Sequence, residues 1–256
     1  MKKTFSILGT GWLGYALACS LKEDYNVKVS IKDDTRLDSL KHEGFNPYVL
    51  NEKQLDSLDS LLDCDFLFIN YPPSKFEDYL LFLQKIYTHP KITNIQKIFF
   101  ISSTSIYPSF EESFTEEYKI KKEDSKLIVF EAEQVAKKSH VIFRCSGLMG
   151  NDRIAGKYFS GKVLKSSNKK INHVHKDDVI SATIFAIKND IEGIYNLCSK
   201  IHPLRDDLYE SNAKKYNFEK PILEYTNKKV LNRIIDGSKI ESLGFRYKYQ
   251  NPMQYD

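Results

Sequence analysis

The first half of the chain alternates short apolar runs with segments in which apolar residues recur every three or four positions. The runs 66–69 (Phe-Leu-Phe-Ile) and 98–101 (Ile-Phe-Phe-Ile) are apolar at every position, which is typical of strands buried on both faces of a parallel sheet. The segments 79–87 and 126–138 carry the helical period instead. Strands that alternate with helices in this way predict a doubly wound parallel sheet of the α/β class.

A glycine-rich hexapeptide, 9–14 (Gly-Thr-Gly-Trp-Leu-Gly), separates the first apolar run from the first helical segment. Its spacing is typical of a dinucleotide-binding turn. Gly9 permits the tight turn, Gly11 lets the backbone approach a pyrophosphate, and Gly14 lets the helix pack closely on the strand. The N-terminus of the helix that follows attracts the anion. The hexapeptide in this context therefore predicts a nucleotide site.

After about residue 145 the pattern changes, because loops lengthen and glycines become frequent. We therefore predict a Rossmann domain over residues 1–145, to which the last sheet elements, at about 172–198, return. Residues 146–171 and 199–256 are expected to form a small C-terminal α/β substrate lobe. The predicted strands are 5–8, 27–31, 66–69, 98–101, 141–143 and 193–197, and the predicted helices after the first are 37–43, 79–87, 126–138, 177–188 and 203–216.

Composition and charge exclude several classes of partner. The 256 residues carry a net charge of +4, and the lysines are spread along the chain. No basic block alternates with aromatic residues, so we expect no nucleic-acid partner. No apolar run reaches the roughly 18 residues that a membrane span requires, so we expect no membrane partner.

The N-terminus imitates a secretory signal, since Lys2 and Lys3 precede an apolar run that ends at Cys19. Cleavage there would remove the first strand and the glycine turn and leave the sheet incomplete. We therefore expect a cytoplasmic protein. The four cysteines lie far apart and form no metal-ligand spacing, so we expect buried reduced thiols and no metal site.

Six motifs follow one another along the chain. They are 9–14, then 70–74 (Asn-Tyr-Pro-Pro-Ser), 101–107 (Ile-Ser-Ser-Thr-Ser-Ile-Tyr), 143–150 followed by Arg153, 172–178 (Asn-His-Val-His-Lys-Asp-Asp) and 193–197 (Gly-Ile-Tyr-Asn-Leu). Together they resemble the extended short-chain dehydrogenase/reductase family of the NAD-dependent epimerase/dehydratase type, and most closely an atypical branch of it. The resemblance covers nearly the whole chain. It implies a fold more strongly than a reaction.

The residue that reads the adenosine ribose stands at the end of the second strand, about 20 residues after the glycines. Counting without gaps from Gly14 places Lys32 at this position. A lysine there favours NADP, because it can pair with the 2′-phosphate of that cofactor, and Ser30 could add a hydrogen bond. The alternative is that Asp33 takes this place and holds NAD. The predicted cofactor-binding residues are Gly9, Gly11, Trp12, Leu13, Gly14, Ser30, Lys32, Tyr71, Pro72 and Ser102.

The resemblance also implies a catalytic Ser, Tyr and Lys. The family's serine falls on Ser103, and Lys126 opens the long helix, but the position four residues before Lys126 holds Lys122 instead of tyrosine. Tyr118 and Lys122 match the spacing formally, in a charged segment that we expect at the surface. The predicted catalytic residues are Ser103, Thr104, Tyr107 and Lys126, although Tyr107 as a packed core residue is an equal alternative.

Two residues are candidates for substrate binding. Arg153 follows the glycine-rich crossing into the second lobe, and its guanidinium suits a phosphate or carboxylate. His175 opens a helix together with Asp177 and Asp178, where capping is the first interpretation and substrate contact the second.

The motifs predict an NAD(P)-dependent oxidoreductase or epimerase-like protein that acts on a small polar substrate, with nucleotide-linked compounds among the candidates. The alternative is a non-catalytic NAD(P)-binding sensor or scaffold, because the Tyr-x-x-x-Lys element is degenerate. A homodimer is a further open alternative.

Overall fold

The computed structural model describes residues 2–150, 152–166, 169–225 and 230–255. The strands are β1 (Thr4–Leu8), β2 (Asn26–Ile31), β3 (Asn46–Val49), β4 (Phe66–Ile69), β5 (Lys97–Ser103), β6 (Ser113–Phe114), β7 (Val141–Cys145), β8 (Gly147–Met149), β9 (Val163–Ser166), β10 (His173–His175), β11 (Gly193–Leu197), β12 (Ile222–Tyr225) and β13 (Ile234–Ile235). The α-helices are α1 (Trp12–Leu21), α2 (Leu37–His42), α3 (Leu58–Leu61), α4 (Tyr79–Tyr87), α5 (Leu127–Val135), α6 (Lys176–Lys188), α7 (Arg205–Lys215) and α8 (Ser238–Ser242).

Among the described residues, seven strands form one parallel sheet in the order β11-β7-β5-β4-β1-β2-β3. This order extends the 3-2-1-4-5 arrangement of Rossmann sheets, in which the direction of winding reverses between the first and fourth strands. The predicted doubly wound parallel α/β fold is confirmed. The reversal places the ends of β1 and β4 next to each other, and both are followed by predicted site residues.

The chain divides into two compact units. The first comprises residues 1–102, 127–143 and 186–194, and the second comprises 103–126, 144–185 and 195–256. Residues 103–126 therefore belong to the second unit, whereas the sequence placed them in the Rossmann domain. The reason lies in strand pairing, because β6 pairs with β13 near the C-terminus.

The core of the first unit explains why its strands are apolar throughout. Every residue of β4 is buried, since strands pair on both sides of it and helices cover its faces. The rings of Phe68 and Phe99 lie 6.4 Å apart, and that of Phe143 lies 6.1 Å from Phe99. Lys97 is a buried charged residue of this unit, and its ammonium pairs with Asp190 at 2.5 Å.

The second unit is held together by buried polar groups and three two-stranded sheets. The carboxylate of Asp178 is buried and accepts hydrogen bonds from the backbone N–H groups of Lys248 (2.7 Å) and Tyr249 (3.1 Å). This contact ties the start of α6 to the C-terminal segment. A buried carboxylate needs such partners, because leaving it without them would cost several kcal/mol.

The predicted elements differ from the observed ones mainly where strands are short. Helix 79–87 and strand 193–197 have the predicted bounds, and the helix predicted over 126–138 is α-helical only over Leu127–Val135, ending in a 3₁₀ turn. Strand β3 was not predicted. It contains Pro47, which lacks a donor, and it is tolerated because β3 lies at the edge of the sheet.

Two further expectations concern surfaces. Within the described part of the chain, no helix has the length and apolar character needed to cross a bilayer. Cys145 and Cys198 are buried as expected, Cys64 is half-buried, and Cys19 is exposed, because it lies on the outer side of α1.

Protonation of buried histidines is expected to destabilise this fold. Burial lowers the pKa of His173, His175 and His202 below the ordinary value of 6.5, since it penalises the charged ring. The stability contributed by the neutral rings is present above about pH 6.5 and is lost as the pH falls through the lower folded-state pKa values. The free energy of unfolding in urea should therefore decrease between about pH 7.5 and about pH 5.5.

A pair of matched histidine variants tests whether the pH dependence of stability comes from the buried rings. His175 is fully buried, whereas His42 is exposed on α2. His175→Gln should reduce the dependence of unfolding free energy on pH, and His42→Gln should leave it unchanged. Equal pH dependence in both variants and the wild type would contradict the assignment.

Candidate functional site

The three glycines of the hexapeptide have different structural roles. Gly9 has a φ of +97°, and a Cβ there would lie 2.5 Å from the carbonyl oxygen of Asn70. A Cβ on Gly14 would lie 2.3 Å from the carbonyl oxygen of Gly9. A Cβ on Gly11 would meet no atom within 4 Å, and the Gly11 backbone is extended, at φ −82° and ψ −155°. Gly9 and Gly14 are therefore required by the fold, while Gly11 faces open space.

The start of α1 offers donors to an anion. No side chain caps this helix at Gly11, and its first turn contains no acidic residue. Beside it, the hydroxyl of Thr10 is buried and has no hydrogen-bond partner among the described residues. A helix N-terminus attracts negative charge, and a buried hydroxyl without a partner is costly unless a ligand satisfies it. These residues fit a pyrophosphate.

A cavity of about 800 Å³ opens at this point of the first unit. It lies where β1 and β4 end, which is the position where ligands bind in open α/β sheets. Its lining includes the predicted residues Gly9, Gly11, Ser30, Lys32, Tyr71 and Pro72.

Charged residues that follow β2 line this cavity, together with Glu52, Lys53, Lys75 and Glu77 from other segments. The Lys32 side chain is exposed and lines the cavity, as does Arg36, whose guanidinium lies 5.2 Å from the centre of the Tyr15 ring. The Asp33 carboxylate accepts hydrogen bonds from the N–H and hydroxyl of Thr35, which hold its pKa below the usual range. The acid at this strand end also lines the cavity, but its carboxylate is already used to cap a turn, whereas Lys32 and Arg36 line the cavity as cations.

The Ser30 hydroxyl is bonded within the protein, unlike that of a residue that contacts the adenosine ribose. Its buried hydroxyl accepts from the N–H of Gly9 (2.9 Å) and shares a hydrogen bond with the hydroxyl of Tyr71 (2.6 Å). Burial raises the pKa of Tyr71, whose ring also packs against Phe76 and Phe82. Ser30 and Tyr71 thus shape the glycine turn from beneath.

Four predicted cofactor residues, Trp12, Leu13, Gly14 and Ser102, are not among the residues that line the cavity. Leu13 is buried and Trp12 half-buried in the first turn of α1. Ser102 is buried and donates to the buried carboxylate of Glu133 at 2.5 Å. These side chains hold the elements that carry the site, and Gly14 acts in the same way.

A second cavity, of about 410 Å³, lies within the second unit. Ser103, the last residue of β5, and Thr104 contribute to its wall, as predicted for substrate-facing hydroxyls. The Ser103 oxygen accepts from the N–H of Ser105 at 3.1 Å, so its own hydrogen can be donated. The cavity is lined by Ser103, Thr104, Ser105, Ser109, Gly147, Lys169, Lys170, Ile171, Asn172, His173, Arg205, Tyr209, Leu231 and Arg233.

The other predicted catalytic residues lie away from this wall. Tyr107 is buried, and its hydroxyl accepts from Arg144 (2.9 Å) and donates to Asn196 (2.8 Å). Lys126 is exposed directly before α5. Tyr118 packs its ring against Phe114 at 4.8 Å. The structure therefore brings Ser103 and Thr104 together without Tyr107, Lys126 or Tyr118.

Both predicted substrate-binding residues also lie outside the cavity wall. Arg153 is exposed in a bridge with Gly150. His175 is fully buried, with its ring centre 3.9 Å from that of Tyr249 and 5.1 Å from that of Tyr255. Its Nδ1 accepts from the N–H of Asp177, as in the capping interpretation.

The cavity residues that were not predicted include Thr10, His173 and Arg233. Thr10 lies inside the hexapeptide, whose motif is defined by its glycines. His173 stands two residues before His175 in the same motif, and strand alternation assigns both rings to one face, so the spacing alone did not distinguish the half-buried ring of His173 from the buried ring of His175. Arg233 had no signal, because its place depends on the pairing of β13 with β6.

A hydrogen bond orients His173. Strand β10 pairs His173 with Gly147 of β8, and His173 Nδ1 lies 2.8 Å from the carbonyl oxygen of Gly147. A Cβ on Gly147 would lie 2.6 Å from that Nδ1, so only glycine leaves room for the ring. With the proton on Nδ1, Nε2 carries the lone pair, and no described residue bonds to it.

Comparison with known proteins agrees with this architecture. No protein-family model matches the chain. Protein YeeZ of Escherichia coli is 32% identical over 270 residues, covering 99% of this chain and 98% of YeeZ. Among solved structures, UDP-N-acetylglucosamine 4-epimerase from Bacillus cereus aligns with a TM-score of 0.75 at 17% identity over 98% of this chain and 97% of that chain.

A second Bacillus cereus enzyme, UDP-glucuronic acid 4-epimerase, was solved with UDP-glucuronic acid and NAD. It aligns with a TM-score of 0.74 at 15% identity over 94% of this chain and 92% of its own. The fold that this chain shares with these two enzymes is that of the extended short-chain dehydrogenase/reductases. By its sequence, the chain belongs to the same family as YeeZ of Escherichia coli.

The glycine geometry predicts a contrast in stability. Gly14→Ala should lower the free energy of unfolding by about 3 kcal/mol or more, because its Cβ would overlap a backbone oxygen. Gly11→Ala should cost no more than about 1 kcal/mol, the usual loss when alanine replaces a better N-cap residue. Chemical denaturation of both variants measures the difference, and equal losses would contradict these roles.

Proposed function

We propose that the chain is an NAD(P)-dependent oxidoreductase or epimerase-like protein acting on a small polar substrate. The observation that carries this proposal is the cavity at the glycine turn, which lies at an uncapped helix N-terminus and has Thr10, whose buried hydroxyl has no partner among the described residues, in its wall. Two further points support it: the 4-epimerase of similar fold was solved with NAD, and the ordered motifs of this chain resemble those of the extended short-chain dehydrogenase/reductase family.

Different residues of the first unit would bind different parts of the dinucleotide. The start of α1 and Gly11 would hold the pyrophosphate, and Thr10 would donate to one of its oxygens. When bound, the nicotinamide cofactor supplies hydride transfer. We propose NADP as the preferred form, because Lys32 and Arg36 would bind the 2′-phosphate while Asp33 is engaged by Thr35.

The substrate would bind in the cavity of the second unit. Ser103 would donate a hydrogen bond to a substrate oxygen, as the class resemblance implies. Tyr118 and Lys126 do not line this cavity, and the Tyr107 hydroxyl is engaged by Arg144 and Asn196. We propose that His173 moves the proton instead, since its Nε2 is open, Gly147 fixes its ring, and burial lowers its pKa so that the neutral base dominates at pH 7.

One observation favours a second candidate function. Lys126 is exposed and Tyr118 is packed against Phe114, so the usual proton-transfer pair is not assembled at Ser103. A protein that binds the dinucleotide without turnover, as a sensor or scaffold, would need no such pair. The two candidates differ in what the loss of Ser103 and His173 should do.

The preference for NADP is tested by removing one charge. Lys32→Gln should weaken NADPH binding by about three- to tenfold and leave NADH binding nearly unchanged, as expected for one partly exposed charge contact. Lys22→Gln, which removes an exposed lysine at the other end of α1, is the matched control. Calorimetry measures both affinities. Tighter binding of NADH than NADPH by the wild type would show that the assignment is wrong.

Turnover of a panel of aldehydes, ketones and sugar nucleotides with NADPH tests the catalytic residues. Ser103→Ala and His173→Gln should each reduce turnover, His173→Gln by about 10²–10⁴-fold, the usual contribution of a general acid or base. Tyr118→Phe should leave turnover nearly unchanged. Cofactor affinity should be equal in all three.

The same panel separates the two candidate functions. A large loss in Tyr118→Phe with intact cofactor binding would contradict the role given to His173. Absence of turnover across the panel, with normal NADPH binding, would favour the sensor.

A further inference from the structure

The cavity of the second unit has a one-sided charge. None of the described lining residues is acidic. Four of the lining side chains are cationic, namely Lys169, Lys170, Arg205 and Arg233. Arg205 is partly compensated, because its Nε lies 3.6 Å from the carboxylate of Asp206 and its guanidinium donates to the carbonyl of Lys165. The other three have no carboxylate partner within the described residues.

Arg233 is a cation of this wall that is partly withdrawn from water. It is half-buried and donates to the carbonyl oxygen of Tyr107 at 2.9 Å. Burial lowers its pKa, and no acid counteracts this effect. A guanidinium taken out of water without a counter-ion is costly, and an anionic ligand removes that cost.

The position of Arg233 is set by its own backbone. The amide of Asn172 donates to the carbonyl of Arg233 at 2.9 Å, and the oxygen of the same amide accepts from the N–H of Ile235 at 2.9 Å. Asn172 precedes His173 directly, so one residue fixes both the arginine segment and the strand that carries the imidazole. The cation is therefore held in place before any ligand arrives.

We propose that this cavity binds the phosphate group of a phosphorylated small-molecule substrate, with Arg233 as the anchoring cation and Lys169 and Lys170 as its partners. Three uncompensated cations match a dianion better than a single carboxylate charge. The planar donors of Arg233 suit phosphate oxygens, and the Ser103 hydroxyl and His173 add neutral hydrogen-bonding groups. The inference rests on the proposed function only in taking this cavity as the substrate cavity.

The ring of His173 offers a readout confined to this cavity. A phosphate dianion beside it should raise its pKa, because a nearby negative charge favours the imidazolium. The charged side chains that share the wall with His173 are those of Lys169, Lys170, Arg205 and Arg233, and all of them act in the opposite direction. The shift can be followed by NMR of the histidine ring protons in the full-length protein, with His173→Gln identifying the signal.

Inorganic phosphate is the probe, and acetate at equal concentration is the carboxylate comparison. We expect phosphate to raise the pKa of His173 and acetate to do so far less. Arg233→Gln should weaken the phosphate dependence of this signal by about tenfold or more, the usual effect of losing charge-assisted hydrogen bonds. The doubly substituted Lys169→Gln/Lys170→Gln protein, altered only at exposed side chains, should also weaken it and guards against misfolding of the arginine variant.

Arg246→Gln is the matched control, because Arg246 is exposed in the same unit and donates to backbone carbonyls outside the cavity wall. It should leave the phosphate response intact. A His173 signal that ignores phosphate, or responds equally in the wild type and both cavity variants, would overturn the proposal, and an equal response to acetate would overturn the choice of phosphate. NADPH binding is measured separately. The phosphate response of His173 can therefore be interpreted even if the cofactor proposal fails.

Discussion

The close approach of the first turn of α1 to the end of β1 is the constraint on which the dinucleotide cavity depends. The Gly14 backbone lies so near the Gly9 carbonyl that a methyl group on Gly14 could not be placed between them. This approach directs the N-terminus of α1 at the space beyond the strand ends. A side chain at Gly14 would move the helix and with it the anion site, whereas the extended Gly11 backbone tolerates a side chain sterically but would fill the ligand space.

The second unit depends on the satisfaction of buried polar groups as well as on its buried apolar side chains. Asn196 accepts from Tyr107 and donates to the carbonyl of Asp236, so that distant segments are joined through one buried amide. Asn172 does the same beside the basic cavity. A well-bonded framework lets the unit keep Arg233 half-buried without a counter-ion. Functional groups held in an unfavourable state by a rigid surrounding are a frequent property of binding sites.

The sequence predicted the central sheet well because its signals are local. The apolar run of β4 and the hexapeptide each specify their structure within a few neighbouring residues. Edge strand β3 was not foreseen, since Pro47 is acceptable there only because no further strand pairs on the outer side. The place of 103–126 in the second unit was likewise out of reach, because it depends on a pairing between segments more than 100 residues apart.

In the candidate sites, cavity residues could be predicted where they belong to a recognisable sequence motif. Six of the ten predicted cofactor residues line the first cavity, among them Gly11 and Lys32. The second cavity was predicted only through Ser103 and Thr104. The side chains of His173 and Arg233 join these hydroxyls through strand pairing and buried amides, which periodicity and spacing do not encode.

The central claim is that the space in front of Gly11 receives a dinucleotide. Trp12, the single tryptophan of the chain, lies next to this position, so its fluorescence should report NADPH binding directly. The decisive measurement is a titration of Trp12 emission with NADPH in the wild type and in Gly11→Ala, at equal folded fraction. The account predicts saturable quenching in the wild type and affinity at least about tenfold weaker in Gly11→Ala. Equal affinity in a folded Gly11→Ala protein, or no binding by the wild type, would contradict it.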